Sequence, residues 1–210
     1  SGPMMWPPNL SGSFHDRLVD AGLYFDTMNL LRGGDFEDGE VGPGAPAPWS
    51  PSLTSSEVDN APQGEVRTIE GGVPPGHLAM FFKKLGTAMW WPQVWNTGYE
   101  LAPGGVYEFS IMAKGDLAQV NLRATSIVEG TSVKVSQTRD VPAEFGRLYL
   151  QFVVSEGAES VQVGLSAPRG PTGEVIYDDA VLRRLVRAPG AARREYHAPD
   201  WGPDPDPIHG

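Results

Sequence analysis

The sequence predicts an all-β sandwich flanked by irregular arms. Three observations lead there: turn residues are abundant, short strand-like runs recur between the turns, and no helical stretch separates those runs. The 210 residues include 26 glycines and 20 prolines, roughly a fifth of the chain against about 12% in average usage. Hydrophobic residues at 40% and aromatics at 10% suffice for a core, which excludes global disorder. The length suits one domain of about 150 residues with flanking segments.

Composition divides the chain into three zones. Residues 1–27 mix Pro, Gly and polar residues with scattered aromatics, and the start Ser1-Gly2-Pro3-Met4 reads as a cloning remnant ahead of a Met. The one helix-like stretch is short, Phe14 to Leu23, with Phe14, Leu18 and Val19 on one side. Residues 28–187 hold the strand signals. The tail 188–210 carries five prolines and contains Pro-Asp-Pro-Asp-Pro, which fits neither helix nor central strand and reads as a linker or docking arm.

Within the middle zone the runs are Leu30-Leu31, Val66–Ile69, Leu78–Leu85, Val94–Asn96, Val106–Lys114 and Gln119–Val128. Ser132–Thr138, Arg147–Ser155, Ser160–Ser166 and Val175–Leu182 follow. Several alternate with period two. Leu148, Leu150, Phe152 and Val154 share one face and Tyr149, Gln151 and Val153 the other. Leu122 and Ala124 oppose Asn121, Arg123 and Thr125. Between Gly39 and Gly76 runs a Gly/Pro-rich stretch longer than an ordinary connection. Trp49 in its middle is the expected anchor onto the sandwich.

Charge narrows the partners. With 16 basic and 26 acidic residues the net charge is −10. No basic footprint for nucleic acid is visible, and attraction to anionic membranes is disfavoured; a neutral ligand or a cation fits better. There is no cysteine, so disulfides, thiolate metal sites and a Cys nucleophile are excluded. No apolar run is long enough for a spanning helix. The four His residues are scattered without metal-ligand spacing. Neither a Gly-x-Ser-x-Gly elbow nor a phosphate loop is present. The chain therefore reads as a non-enzyme, with a jelly-roll lyase or hydrolase the residual alternative.

Four segments occur in a distinctive order: NLLRGGDFEDG (29–39), GHLAMFFKKLGTAMWWPQVW (76–95), ELAPGGVYEFSIMAKG (100–115) and GEVIYDDAVLRRL (173–185). In this order they resemble the jelly-roll carbohydrate-binding modules of the group spanning families four, nine and twenty-two, which belong to the galactose-binding-like sandwiches. The resemblance covers about 155 residues and implies a jelly-roll β-sandwich. It also implies a structural calcium site formed by Glu37, Asp178, the carbonyl of Asp35 and a carbonyl near His77 to Ala79. Asp35 stands where the group more usually has Gly.

The patch AMWWPQVWN supplies the candidate ligand surface. Alternation sends Trp91, Gln93 and Trp95 one way and Val94 the other. Indole faces stack on the flat C–H faces of pyranose rings, and an amide binds hydroxyl pairs. In the resembled modules a Trp at this position and polar residues of the same sheet hold the glycan. Carried across, the ligand residues are Trp91, Gln93, Arg123, Tyr149 and Gln151, with Asn121 and Trp95 on the rim. The sequence leaves Arg123 three roles: a uronic-acid contact, a partner for a neighbouring carboxylate, or a solvated charge. At least one of the clustered Trp is expected to be buried.

The expected function is thus non-catalytic binding of a poly- or oligosaccharide such as xylan or a β-glucan, with a catalytic domain as a possible neighbour in the native protein. The expected location is extracellular or secreted. The alternative is a structural or assembly protein, such as a virion decoration or tail component, whose arms touch neighbouring subunits. Tyr24-Phe25, Tyr196 and Trp201 would supply the arm aromatics.

Overall fold

A computed structural model describes residues 22–56 and 59–187 of the chain. Among the described residues twelve strands form: β1 (Leu23–Phe25), β2 (Gly42–Pro43), β3 (Ser50–Ser52), β4 (Gly64–Glu70), β5 (Leu78–Lys84), β6 (Gln93–Tyr99), β7 (Val106–Gly115), β8 (Gln119–Val128), β9 (Thr131–Asp140), β10 (Gly146–Val153), β11 (Ala158–Ser166) and β12 (Gly173–Arg187). One sheet runs β10-β7-β12-β5-β4-β2, with β1 paired to the end of β12; the other runs β3-β6-β11-β8-β9. All pairings are antiparallel. From β5 onward the chain passes repeatedly between the two sheets, the route of a jelly roll. Among the described residues no helix is long and apolar enough to cross a membrane.

Period-two alternation builds the core. Tyr107, Phe109 and Ile111 of β7 and Leu148, Leu150 and Phe152 of β10 face Val120, Leu122 and Ala124 of β8 and Val161, Val163 and Leu165 of β11, all buried. Each large apolar side chain removed from water contributes about 1.5–3 kcal/mol. Trp49 is the expected anchor: it is buried, packs 5.5 Å from Phe36 and 6.4 Å from Phe109, and donates its Nε1 hydrogen to Gly33 O. The long Gly/Pro-rich connection is ordered by this packing and by the short strands β2 and β3.

Leu30-Leu31 differs from expectation, because no strand forms there. Strand β12 carries a bulge between Asp178 and Val181, and the side chain of Asn29 takes over part of the ladder. Its Oδ1 accepts from Leu31 N and Leu182 N, and its Nδ2 donates to Ala180 O. The sheet also takes in Leu23–Phe25, within the segment assigned to the N-terminal arm. Phe25 is buried and Tyr24 is 39% exposed. The helix-like stretch from Phe14 lies outside the described residues except for its end, where Leu23 opens β1. The tail 188–210, with Tyr196 and Trp201, also lies outside them.

Candidate functional site

The outward face of the five-stranded sheet is polar and carries the aromatic patch. Strand register sets its rows. Ser50, Trp95, Gly164, Arg123 and Ser136 follow one another across β3, β6, β11, β8 and β9. Beside that row lie Ser166, Asn121 and Thr138 on one side, and Gln162, Thr125 and Lys134 on the other. The residues between them in sequence, Val94, Leu122, Ala124, Val163 and Leu165, are core.

Trp95 and Gln93 share this face as alternation predicts, and Gln93 Oε1 accepts the Trp95 indole N–H at 2.9 Å. The indole lies against the backbone of Gly164, where a β-carbon would come within 2.4 Å of its Cε3. Both side chains are partly exposed. Trp91 precedes the strand and donates from Nε1 to Ser52 Oγ at 3.3 Å. The buried Trp of the cluster is Trp90, 8% exposed, whose backbone N–H donates to Ala167 O. It folds back over the sheet, so the connection before β6 covers part of this face.

Arg123 is 3% exposed, which removes the solvated role left open by the sequence. Its guanidinium lies 4.3 Å from the ring centre of Trp90 and 5.3 Å from that of Trp95, a desolvated cation–π arrangement. Asn121 is fully buried; its Oδ1 accepts from Thr138 Oγ1 and its Nδ2 donates to Ser166 Oγ. Its amide ties three strands together. Burial, and then the charge of Arg123, lower the Lys134 pKa from its ordinary value.

Tyr149 and Gln151 are not brought to this face. Strand β10 belongs to the seven-stranded sheet, so both side chains point out from the opposite side of the sandwich. There Gln151 Nε2 donates to the buried carboxylate of Glu108 at 3.0 Å, and Arg183 binds the other oxygen at 2.6 Å. Arg183 also lies 5.6 Å from the Phe25 ring. Burial pushes the Tyr149 phenol up to about 12.

Asp35, Glu37 and Asp178, which the resemblance groups at one site, do lie together. Asp35, Glu37, Asp178 and Asp179 line a hollow of about 460 Å3 with residues 73–77. Glu37 Oε1 accepts from His77 N and Leu78 N; Asp178 accepts from Val73 N and Asp179 N. Burial chiefly, and also the charges of Asp179 and Glu37, raise the Asp178 pKa against the lowering effect of its two backbone bonds. Among the described residues no three His, Cys, Asp or Glu side chains already converge in metal-binding geometry. Carboxylate oxygens dominate the lining, with His77 beside them, and carboxylates with backbone carbonyls are the ligand types that calcium takes. A separate hollow of about 620 Å3, lined by Asp26, Glu100, Glu159, Arg184 and apolar neighbours, carries none of the expected residues.

No protein-family model matches the chain, and no curated protein matches it. Solved structures do. A CBM4 structure superposes with a TM-score of 0.54 at 18% identity, covering 73% of this chain and 99% of the other. The two share the β-sandwich fold. The CBM22-1 xylan-binding domain from Paenibacillus barcinonensis matches with a TM-score of 0.52 at 17% identity, over 74% of this chain and 93% of that one. The enzymatically active domain of a bacteriophage CBA120 tailspike protein matches with a TM-score of 0.56 at 12% identity. That match covers 74% of this chain and spans only 21% of the tailspike chain. The neighbours thus include both binding modules and a domain from an enzyme.

Trp90, Gly164, Thr125 and Lys134 were not singled out as ligand-surface residues from the sequence. A glycine inside a strand pattern is a recognisable sign of close approach, but what approaches Gly164 depends on the register with β6.

Proposed function

We propose that the chain binds a polysaccharide or oligosaccharide, without catalysis, on the outward face of its five-stranded sheet. The observation that carries this reading is the Trp95 indole. It packs on Gly164, its N–H is held by Gln93, the Arg123 guanidinium lies over the ring at 5.3 Å from its centre, and it is partly exposed. A flat, immobilised indole beside amides and hydroxyls has the chemistry to stack on a pyranose and bind its hydroxyls. Trp91, next to Ser52, offers a second aromatic surface at the margin. Asn121 orders the sheet beneath. Tyr149 and Gln151, on the other face, stand outside this contact set. The CBM4 and CBM22 likenesses support a glycan ligand, with xylan a suitable first probe. The reading implies a secreted or extracellular module that holds a catalytic neighbour at its substrate.

Affinity electrophoresis against soluble xylans, β-glucans and mannans tests it. Retardation by one class, lost in Trp95→Ala with folding retained, is the expected result. The tailspike likeness favours a second reading, a structural component of a virion or other assembly. That reading predicts no retardation and a defined oligomer instead.

A structural calcium ion belongs to the same proposal. Glu37 and Asp178 would hold it, with Asp35 and Asp179 adjacent and backbone carbonyls completing the oxygen shell. Burial chiefly, and then the charges of Asp179 and Glu37, disfavour the Asp178 carboxylate, and a bound cation would offset both. Its role would be to clamp the segment around Glu37 to β12, away from the sugar-binding face.

A further inference from the structure

The chain carries a net charge of −10, yet the proposed sugar-binding face has the opposite sign. Its outward strand positions include Arg123 and Lys134. The one carboxylate among them is Asp140, at the far end of β9, where Gln119 Nε2 already donates to it at 3.0 Å. Lys134 has no acidic partner among the described residues. Arg123 and Lys134 occupy diagonal positions on neighbouring strands, one row apart; burial, and then the charge of Arg123, lower the Lys134 pKa. Between the strand partners Gln162 and Lys134 sits Thr125, fully buried, whose Oγ1 has no hydrogen-bond partner. Buried hydroxyls without a partner are rare and call for a physical reason. A hydroxyl, an ammonium and a guanidinium gathered beside an indole platform form a receptor for an anionic substituent on a sugar ring.

We propose that the ligand is an acidic glycan whose anionic group, a uronate carboxylate or a sulfate ester, docks at Lys134 and Thr125 beside Arg123. The inference rests on the glycan-binding reading and narrows it. It also departs from the neutral or cationic ligand that net charge alone suggests. Two cations placed next to each other repel, and an anion between them is attracted by both.

The test is a titration of the purified chain with glucuronoxylan and with polygalacturonate, each before and after carboxyl reduction, and with sulfated xylan. The neutral β-glucans and mannans serve as controls. An acidic form should bind about tenfold or more tightly than its neutral counterpart, as one charge-assisted contact provides. Preference for the uronate or the sulfate form identifies the source of the anion. Lys134→Gln, at an exposed position, should remove most of that preference. Equal binding of native and carboxyl-reduced forms, or binding of neutral glycans alone, overturns this inference and leaves the glycan reading standing. Binding of no glycan at all overturns both.

Discussion

A β-carbon at Gly164 would lie 2.4 Å from Cε3 of Trp95, and the far atom belongs to a rigid ring rather than to the end of a flexible chain. The indole can therefore rest on β11, toward Arg123, only while position 164 lacks a side chain. Gly164→Ala should tilt the ring off the sheet. We expect a destabilisation of about 1–3 kcal/mol from overpacking and a loss of glycan affinity of about tenfold or more, read by thermal melting and by titration. Unchanged affinity would show that the flat indole is not the binding platform. The pairing of Trp95 with Gln93 was legible because alternation is a local property of one strand. The contribution of Gly164 was not, because it depends on which strand lies beside β6 and in what register. Arg123 stayed ambiguous for the same reason: its environment comes from Trp90 and Trp95, thirty or so residues away.

At the scale of elements, alternation sorted inward from outward residues correctly on β8 and β10, yet a sandwich has two outward faces and the pattern does not say which. The resemblance groups Tyr149 and Gln151 with Arg123, whereas β10 pairs with β7 in the other sheet. The face they occupy carries its own network. The Glu108 carboxylate is fully buried and bonded to Arg183 and Gln151. Removing one partner of a buried pair leaves the other charge uncompensated, at a cost of about 3–5 kcal/mol. Arg183→Ala should lower stability by about that amount in chemical denaturation. Glycan affinity of the folded fraction should be unchanged, because the network lies on the opposite sheet. A loss of affinity with stability intact would place the ligand on the seven-stranded sheet instead. The Leu30-Leu31 run shows another limit of local patterning: Leu31 joins the core and Leu30 N bonds to Leu182 O, but the Asn29 side chain makes the neighbouring bonds that a ladder would.

Across the described residues, the sandwich is closed where the segment around Glu37 meets β12. Four segments in order carried the likeness to carbohydrate-binding modules. The structure bears out the sandwich they implied, with the opening segment around Asp35 and Glu37 set against β12 at Asp178. Ion binding at that junction would stabilise the native state by mass action, about 2.7 kcal/mol at a hundredfold excess over the dissociation constant. For a domain of this size that corresponds to a Tm change of about 5 °C or more. Adding a chelator should lower Tm by this margin. Glu37→Ala should abolish the response to calcium while leaving the sugar-binding face in place. A Tm indifferent to both chelator and added calcium would remove the ion from the account.

Affinity electrophoresis of the wild-type chain beside Trp95→Ala decides whether the five-stranded sheet binds a glycan. The wild type should be retarded by one class of soluble polysaccharide and the variant should migrate freely, with both proteins folded. Free migration of the wild type in neutral and acidic glycans alike, together with a defined oligomer in solution, would contradict glycan binding.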